Sequence, residues 1–491
     1  MILKSSGACW RLETAGRAAL FIDMADYFTA AKAAMRRARR SIHLLNWAFE
    51  ADTLFDPQPG CVGPDTDRFG NFLKALAGEN PELDVRLLCW KAALPVAATQ
   101  NFFPMRDRKC FDGSAVKFVL DGKLPLGACH HQKMIVIDDA VAFCGGGDIG
   151  PDRWDTPLHL DDDPRREKTA ADNKCFDSRH ELMALVDGPP AMALGELFRE
   201  RWRRATGESL AAPEPIAPQA WPDCVSPAFR NISVGLSRTG GAWRGWPEVR
   251  EVKALSLASI AAAKDCIYLE NQYFTSPIVA EALAARLEEP DGPEVIIVST
   301  QHSPSWFDQM TMDRTRSDFI RRLKTADAHG RFHAYSPVTT LGRTIIVHAK
   351  LAIVDDIFLR VGSANVNNRS TGFDTECDLT LEAGGETAEA SRGAIAAIRL
   401  RLLAHWLGCS IQTMADAIHG EGGVGAALEA LRLSGYCRLL PIEPVTLGPA
   451  ATFIAAFHIG DPVEPADSFR PMKRRRALTA EVAALAARLR R

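Results

Sequence analysis

No stretch of the 491 residues reaches the roughly 18 consecutive apolar residues that a membrane-crossing helix needs. The apolar run near the N-terminus, LFIDMADYF, is broken by Asp23 and Asp26, so it does not read as a secretory leader. The 12 cysteines never form a CxxC pair and are not interleaved with histidine at ligand spacing. That pattern predicts reduced thiols, no disulfide framework and no zinc site. Basic charge is not in excess either: 58 Lys and Arg stand against 61 Asp and Glu, a net charge of -3. A global field for nucleic acid is thereby excluded, and any anion site has to be local. A reducing cytoplasm is the expected compartment, with a signal-independent route of export left open.

What is present is a globular composition, 47% hydrophobic, over a length that exceeds one ordinary core. Apolar strand patterns alternate with helical ones. ALFID, SIHLLNWAF and DVRLLCW are separated by YFTAAKAAMRRARR and DRFGNFLKALAGEN, and a similar alternation resumes after residue 228. This predicts an α/β fold, with mixed sheets flanked by helices. The Pro- and Ala-rich stretch from Ala211 to Pro227 separates a first half, 1–215, from a second, 228–415; residues 416–491 form an extension. Two long connections stand out. One, 96–128, carries Phe102 and Phe103 beside Arg106 and Arg108, which either line substrate access or anchor the loop. The other, 149–180, is highly charged and reads as partly mobile.

The two halves each contain one copy of the same pattern. His131, Lys133 and Asp138 lie in HHQKMIVIDDAVAFCGGGDIG; His348, Lys350 and Asp355 lie in VHAKLAIVDDIFLRVGSANVN. In both, Lys follows His by two and Asp follows it by seven, a glycine comes at fourteen (Gly145, Gly362) and a polar residue at seventeen (Asp148, Asn365). One His-x-Lys would mean little; four positions in register, twice, is specific. MIVID and LAIVD read as buried strands, and residues two apart on a strand share a face, so each His and Lys project together. Asp138 and Asp355 fall on the other face, which suits a structural or orienting role. His130, next to His131 but opposite in phase, reads as structural. A His beside a Lys on an apolar strand suits an anionic substrate: the Lys holds positive charge, and the His attacks or carries a proton near neutral pH.

These motifs resemble the phospholipase D superfamily. The segments GGGDIGPDRWDT, IYLENQYF and SIHLLNWAFEADT resemble its phospholipid-cleaving members, and the resemblance runs over roughly residues 18–410. It implies two similar lobes related by a pseudo-twofold axis, with one active site at their interface. It further implies His131 as nucleophile, forming a phosphohistidine, and His348 as general acid and base. Lys133, Lys350 and Asn365 would hold the phosphoryl oxygens, with Ser363 and Gly146 in the substrate-binding turns. An acidic residue 25 to 50 positions after each His would orient it, which points to Glu181 for the first half and Glu376 for the second. No metal and no cofactor enter that scheme, and the role of Asp148 is open.

The implied substrate is a glycerophospholipid met at a peripheral membrane surface by a monomer, with no nucleic-acid partner. A cardiolipin synthase-like phosphatidyltransferase, a nuclease or other phosphodiesterase of the superfamily, and a catalytically dead scaffold are the competing readings. Intact His–Lys pairs in both copies argue against the last. The C-terminal run Lys473 to Arg476 precedes a helix with Leu478, Val482, Leu485 and Leu489 on one stripe. That tail would lie on an anionic bilayer or pack on its own domain.

Overall fold

The computed structural model describes the chain except for residue 6, residues 93–103, 167–174 and 215–219, and residues 304, 306, 307, 437, 446, 447 and 491. Phe102, Phe103 and the middle of the Pro- and Ala-rich linker therefore lie outside the described residues.

The strands of the first half are β1 (Arg11–Ile22), β2 (Ser41–Asn46), β3 (Asp84–Trp90), β4 (Lys117–Asp121), β5 (Met134–Ile137), β6 (Val141–Gly145), β7 (Arg179–His180) and β8 (Leu182–Asp187). Those of the second half are β9 (Phe229–Gly240), β10 (Val249–Arg250), β11 (Cys266–Asn271), β12 (Glu294–Val298), β13 (Phe332–Pro337), β14 (Ile346–Val347), β15 (Lys350–Val354), β16 (Phe358–Gly362) and β17 (Glu376–Glu382), with β18 (Leu439–Pro441) in the extension. Sixteen of them form one sheet, in the order β18-β13-β12-β11-β15-β16-β17-β9-β1-β8-β6-β5-β2-β3-β4, with β10 paired to β9.

Read outward from its centre, this order repeats. On one side come β1, β8, β6, β5, β2, β3, β4; on the other come β9, β17, β16, β15, β11, β12, β13. The senses agree too: β2 runs parallel to β3 and antiparallel to β5, as β11 does to β12 and β15. The sequence suggested separate sheets for two lobes. Instead β1 and β9 pair antiparallel from Arg11↔Leu236 to Ala18↔Phe229 and join both halves into one mixed sheet.

Apart from Lys350 at the start of β15, the two motif strands are apolar at every position because both faces are covered. Met134 and Val136 enter a core shared by both halves, while Ile135 and Ile137 enter the first half's own core. Leu351 and Ile353 face the shared core, while Ala352 and Val354 face the second half's own. Helices supply the other surfaces. Pro189–Thr206 starts on two prolines, ends at Gly207 with φ 86°, and buries Trp202 in the shared core. Ala388–Leu407 ends at Gly408 in the same left-handed conformation and buries Trp406 there. Among the described residues no single helix is long and apolar enough to cross a membrane.

The C-terminal helix Pro471–Leu489 packs part of its stripe inward: Leu478 is buried and Leu485 lies against the second half's core, while Leu489 is exposed. One residue of the basic run is internal. The Arg474 guanidinium donates to the carbonyls of Phe457, His458, Asp467 and Ser468. We expect Arg474→Leu to cost about 2–5 kcal/mol in urea unfolding, because it strands four carbonyl acceptors, two of them in fully buried bonds. Exposed Arg476→Ala should cost under about 0.5 kcal/mol. Equal small effects from both would mean that the helix does not pack as described.

Candidate active site

Each histidine sits just ahead of its strand, since β5 begins at Met134 and β15 at Lys350. Backbone pairing between the halves places them. His131 N donates to Thr375 O at 3.1 Å, and Thr375 N to Cys129 O at 3.1 Å, so the approach to the first motif runs beside the segment entering Glu376. Likewise β14 pairs with β7, and His348 N donates to His180 O at 2.8 Å, beside the segment entering Glu181.

That pairing crosses the orienting carboxylates. His131 Nδ1 is hydrogen-bonded to Glu376 Oε2 at 2.9 Å. His348 Nδ1 lies 3.1 Å from Glu181 Oε1, in ion-pair reach but not aligned as a hydrogen bond. The sequence rule, an acid following each His within its own half, therefore gives the right residues and the wrong partners. The acid that follows a His in sequence stands at the entry to β8 or β17, two strands along the sheet from its own motif strand, and only the folding of one half against the other brings it to a histidine.

The six central side chains are unequally exposed. Lys133, Lys350, Glu181 and Glu376 are buried, whereas His131 and His348 retain 15% and 10% of side-chain exposure. With Nδ1 turned to a carboxylate, the Nε2 edge of each ring is the face open to a substrate. Burial drives both imidazoles well below the ordinary 6.5, and Lys133 and Lys350 lower both further. Both rings are thus neutral at pH 7, and each feels both lysines, as expected of one shared site.

The carboxylates are held differently. Glu376 accepts Ser363 Oγ at 2.5 Å and Ser370 Oγ at 2.6 Å. Burial pushes it up to about 8, and the two serines oppose that rise. Glu181 is raised by burial and opposed chiefly by Arg153, whose Nη1 donates to it at 3.2 Å, and by Arg179 at 3.9 Å. Ser370, Arg153 and Arg179 were not singled out in the sequence. The quoted DRWDT segment contains Arg153, but nothing local says which carboxylate it meets.

Several expected contacts are redirected. Ser363 does not offer its hydroxyl to a substrate, because Glu376 takes it. The Gly146 amide is committed to Leu182 O at 3.0 Å, so it is not a free donor. Its lack of a side chain matters instead: a Cβ there would sit 3.1 Å from Lys350 Cδ. Asp138 and Asp355 stand at the far ends of β5 and β15 from the histidines. Asp138 accepts the amides of Arg39, Arg40 and Ser41, and Asp355 those of Lys264, Asp265 and Cys266. They pin the loops entering β2 and β11 and so position the sheet from behind, without touching the site. Asp148 accepts the amides of Trp47 and Ala48 and lies 3.3 Å from Lys133 Nζ, which neutralises it. Its counterpart Asn365 keeps a buried Oδ1 without a partner. His130 is buried against Asp121.

The charged loop 149–180 packs several side chains inward: Asp155, His159, Asp163 and Arg166 are buried, while Leu158 and Leu160 are exposed. Its His159 belongs to a cluster that spacing along the sequence does not show. Asp23, His159, His180 and His405 converge, each offering one ligand atom, with all four atoms within 4.8 Å of one another. Linear spacing concealed them because four separate segments contribute one residue each.

Lys350 carries the clearest cost of this arrangement. Burial, with Lys133 and Arg153 nearby, lowers it from 10.5 to about 7, against the pull of Glu181. A cation held below its unfolded pKa destabilises the fold at every pH where the unfolded chain is protonated and the folded site resists protonation. The penalty is fully present below about 7 and vanishes as pH rises to 10.5. Lys350→Met should therefore raise stability by a few kcal/mol (order of magnitude) at pH 6, with the difference closing towards pH 10.5. Urea midpoints of the two proteins across that range measure it. A variant less stable than wild type at pH 6 would contradict it.

Comparison with known proteins agrees with this geometry. Residues 257–393 match the family model described as cardiolipin synthase, PLD-like domain. The chain is 24% identical over 532 aligned residues to phospholipase D alpha 1 of Arabidopsis thaliana, covering 78% of this chain and 64% of that protein. It is 23% identical to phospholipase D A of Dictyostelium discoideum, covering 74% and 32% respectively. It thus spans less than two thirds of the length of these relatives. Its fold is similar to that of the phosphatidylserine synthase of Haemophilus influenzae Rd KW20, with a TM-score of 0.52 at 12% identity over 97% of this chain and 96% of that one. Two in-register motifs brought to one site by a twice-repeated strand order, together with these likenesses, support a member of the phospholipase D superfamily.

Proposed function

We propose that the protein is a phospholipase D-type phosphodiesterase that cleaves, or transfers, the head group of glycerophospholipids through a phosphohistidine. The observation that carries this reading is the crossed pairing of His131 with Glu376 and His348 with Glu181, which leaves two neutral imidazole edges beside two lysines. His131 Nε2 attacks phosphorus, forming the P–N bond as the P–O bond to the head-group alcohol breaks. With the anionic diester bound, His348 takes up a proton on Nε2 before the attack and passes it to that leaving oxygen. His348 then takes a proton from water or an acceptor alcohol, whose oxygen displaces His131 and releases phosphatidate or the transferred product. Lys133, Lys350 and the unpartnered Asn365 Oδ1 side chain, through its amide, surround the phosphoryl oxygens. The bound diester also gives Lys350 an anionic partner that offsets its burial and the nearby Lys133 and Arg153.

A phosphatidyltransferase is the second reading, favoured by the description of the family model over 257–393 and by the name of the synthase of like fold. Purified protein incubated with a panel of phospholipids in mixed micelles, with and without glycerol, ethanol or phosphatidylglycerol, decides between them. Phosphatidate as main product supports the hydrolase; a transfer product that dominates even when the alcohol is scarce supports the transferase. Cleavage of plasmid DNA with no attack on any phospholipid would sink both.

A further inference from the structure

We propose that Asp23, His159, His180 and His405 form a closed site for one divalent transition-metal ion of the zinc class, behind the active site and separate from its chemistry. Four buried polar atoms, Asp23 Oδ2, His159 Nε2, His180 Nδ1 and His405 Nε2, lack any hydrogen-bond partner. His159 Nε2 lies 3.5 Å from Asp23 Oδ2, and one ligand atom from each of the four residues lies within 4.8 Å of the others. His180 Nδ1 and Asp23 Oδ1 are 2.8 Å apart, yet they are not aligned as a hydrogen bond. Four unsatisfied atoms in one place are costly unless something fills the space between them.

The outer contacts are those a metal site requires. His159 Nδ1 is held by Asp155 Oδ2 at 2.9 Å, and His180 Nε2 by Glu270 Oε2 at 2.9 Å. Each carboxylate keeps the proton on the outer nitrogen and turns the lone pair of the other inward. The ring centroids are separated by 6.0 Å (His159–His180), 5.0 Å (His159–His405) and 5.7 Å (His180–His405). Nitrogen ligands at about 2.0–2.1 Å from a tetrahedral ion place ring centroids roughly 5 Å apart, so small movements inward complete the site. Three imidazoles and one carboxylate suit zinc, or cobalt(II) as its probe, better than calcium or magnesium. With four protein ligands, no position is left for a substrate.

The backbone is strained there as well. Asp23 has φ 67° and ψ 161°, a conformation nearly confined to glycine, and His159 has φ 43°. Three ligands come from the first half, and His405 comes from the last turn of Ala388–Leu407 in the second. An ion there would fasten that helix to β7. Because β7 pairs with β14 and Asp23 N donates to Glu181 O at 2.9 Å, it would also fix the segment carrying Glu181 and the approach to His348.

The test uses the full chain. Protein purified without chelator is analysed for bound metals, then stripped and titrated with Co²⁺ followed by Zn²⁺. Expected are close to one zinc-class ion per chain as isolated, ligand-field bands of tetrahedral strength with Co²⁺, and their loss on adding one equivalent of Zn²⁺. His405→Phe, at the least buried ligand, should lower occupancy at least tenfold, and added zinc should raise the melting temperature of wild type alone. Folded wild type that takes up neither ion at micromolar concentration would overturn the proposal. So would a His405→Phe protein with unchanged occupancy and Co²⁺ spectrum. If the variant does not fold, the wild-type Co²⁺ spectrum decides.

Discussion

His131→Ala should abolish turnover by at least about 10⁴-fold and leave no trapped adduct, because it removes the proposed nucleophile outright. His348→Ala should be nearly as inactive on a natural head group, where general acid catalysis is worth about 10²–10⁴-fold. The two variants separate on a substrate whose leaving group needs no proton, such as a p-nitrophenyl phosphodiester. There His348→Ala should release one equivalent of nitrophenol in a burst and stall, since His131 still attacks but nothing activates water. His131→Ala should give no burst. A burst in His131→Ala and none in His348→Ala would reverse the two roles. Full activity in either would remove the mechanism. The geometry favours the stated assignment: the aligned 2.9 Å bond from His131 to Glu376 fixes one tautomer, whereas His348 lacks such alignment with Glu181.

The second large effect tests the crossing. Glu376→Gln should slow formation of the adduct, and Glu181→Gln its breakdown, each by about 10²–10³-fold, in line with losing one preorganised electrostatic partner. Pairing within each half, as sequence order suggests, predicts the reverse. A pH profile distinguishes positioning from mere structural damage. The Glu376 carboxyl loses its proton at about 8, so adduct formation in wild type should rise with pH through that value. Glu376→Gln should show no such rise, and its deficit should widen from pH 6 to pH 9. Double variants supply the coupling: Glu376→Gln should add little to His131→Ala, the partner whose loss already removes the interaction. Additive losses for that pair, with coupling between Glu181 and His131 instead, would contradict the observed geometry.

Much of this was written locally. The runs MIVID and LAIVD must be strands buried on both faces, because no alternation exposes a polar side. Two copies of one spacing must mean two copies of one structural unit, and they identify His131, Lys133, His348 and Lys350 without any coordinates. The candidate carboxylates Glu181 and Glu376 were also readable, as acids at the start of apolar strands.

Partnership was not readable, because it depends on which segments the two halves bring side by side. Pairing of β1 with β9 makes one sheet of two, and the segments 129–131 and 346–348 then run against 374–376 and 178–180. That contact sends Glu376 to His131 and Glu181 to His348. It diverts Ser363 and Gly146 from the substrate to internal contacts and gathers Asp23, His159, His180 and His405 from four distant segments. The periodicity of a strand is a short-range property of the chain. The identity of a buried charge's partner is a long-range one, decided by tertiary structure, because an unpaired charge in a dry interior costs more than any local preference can repay.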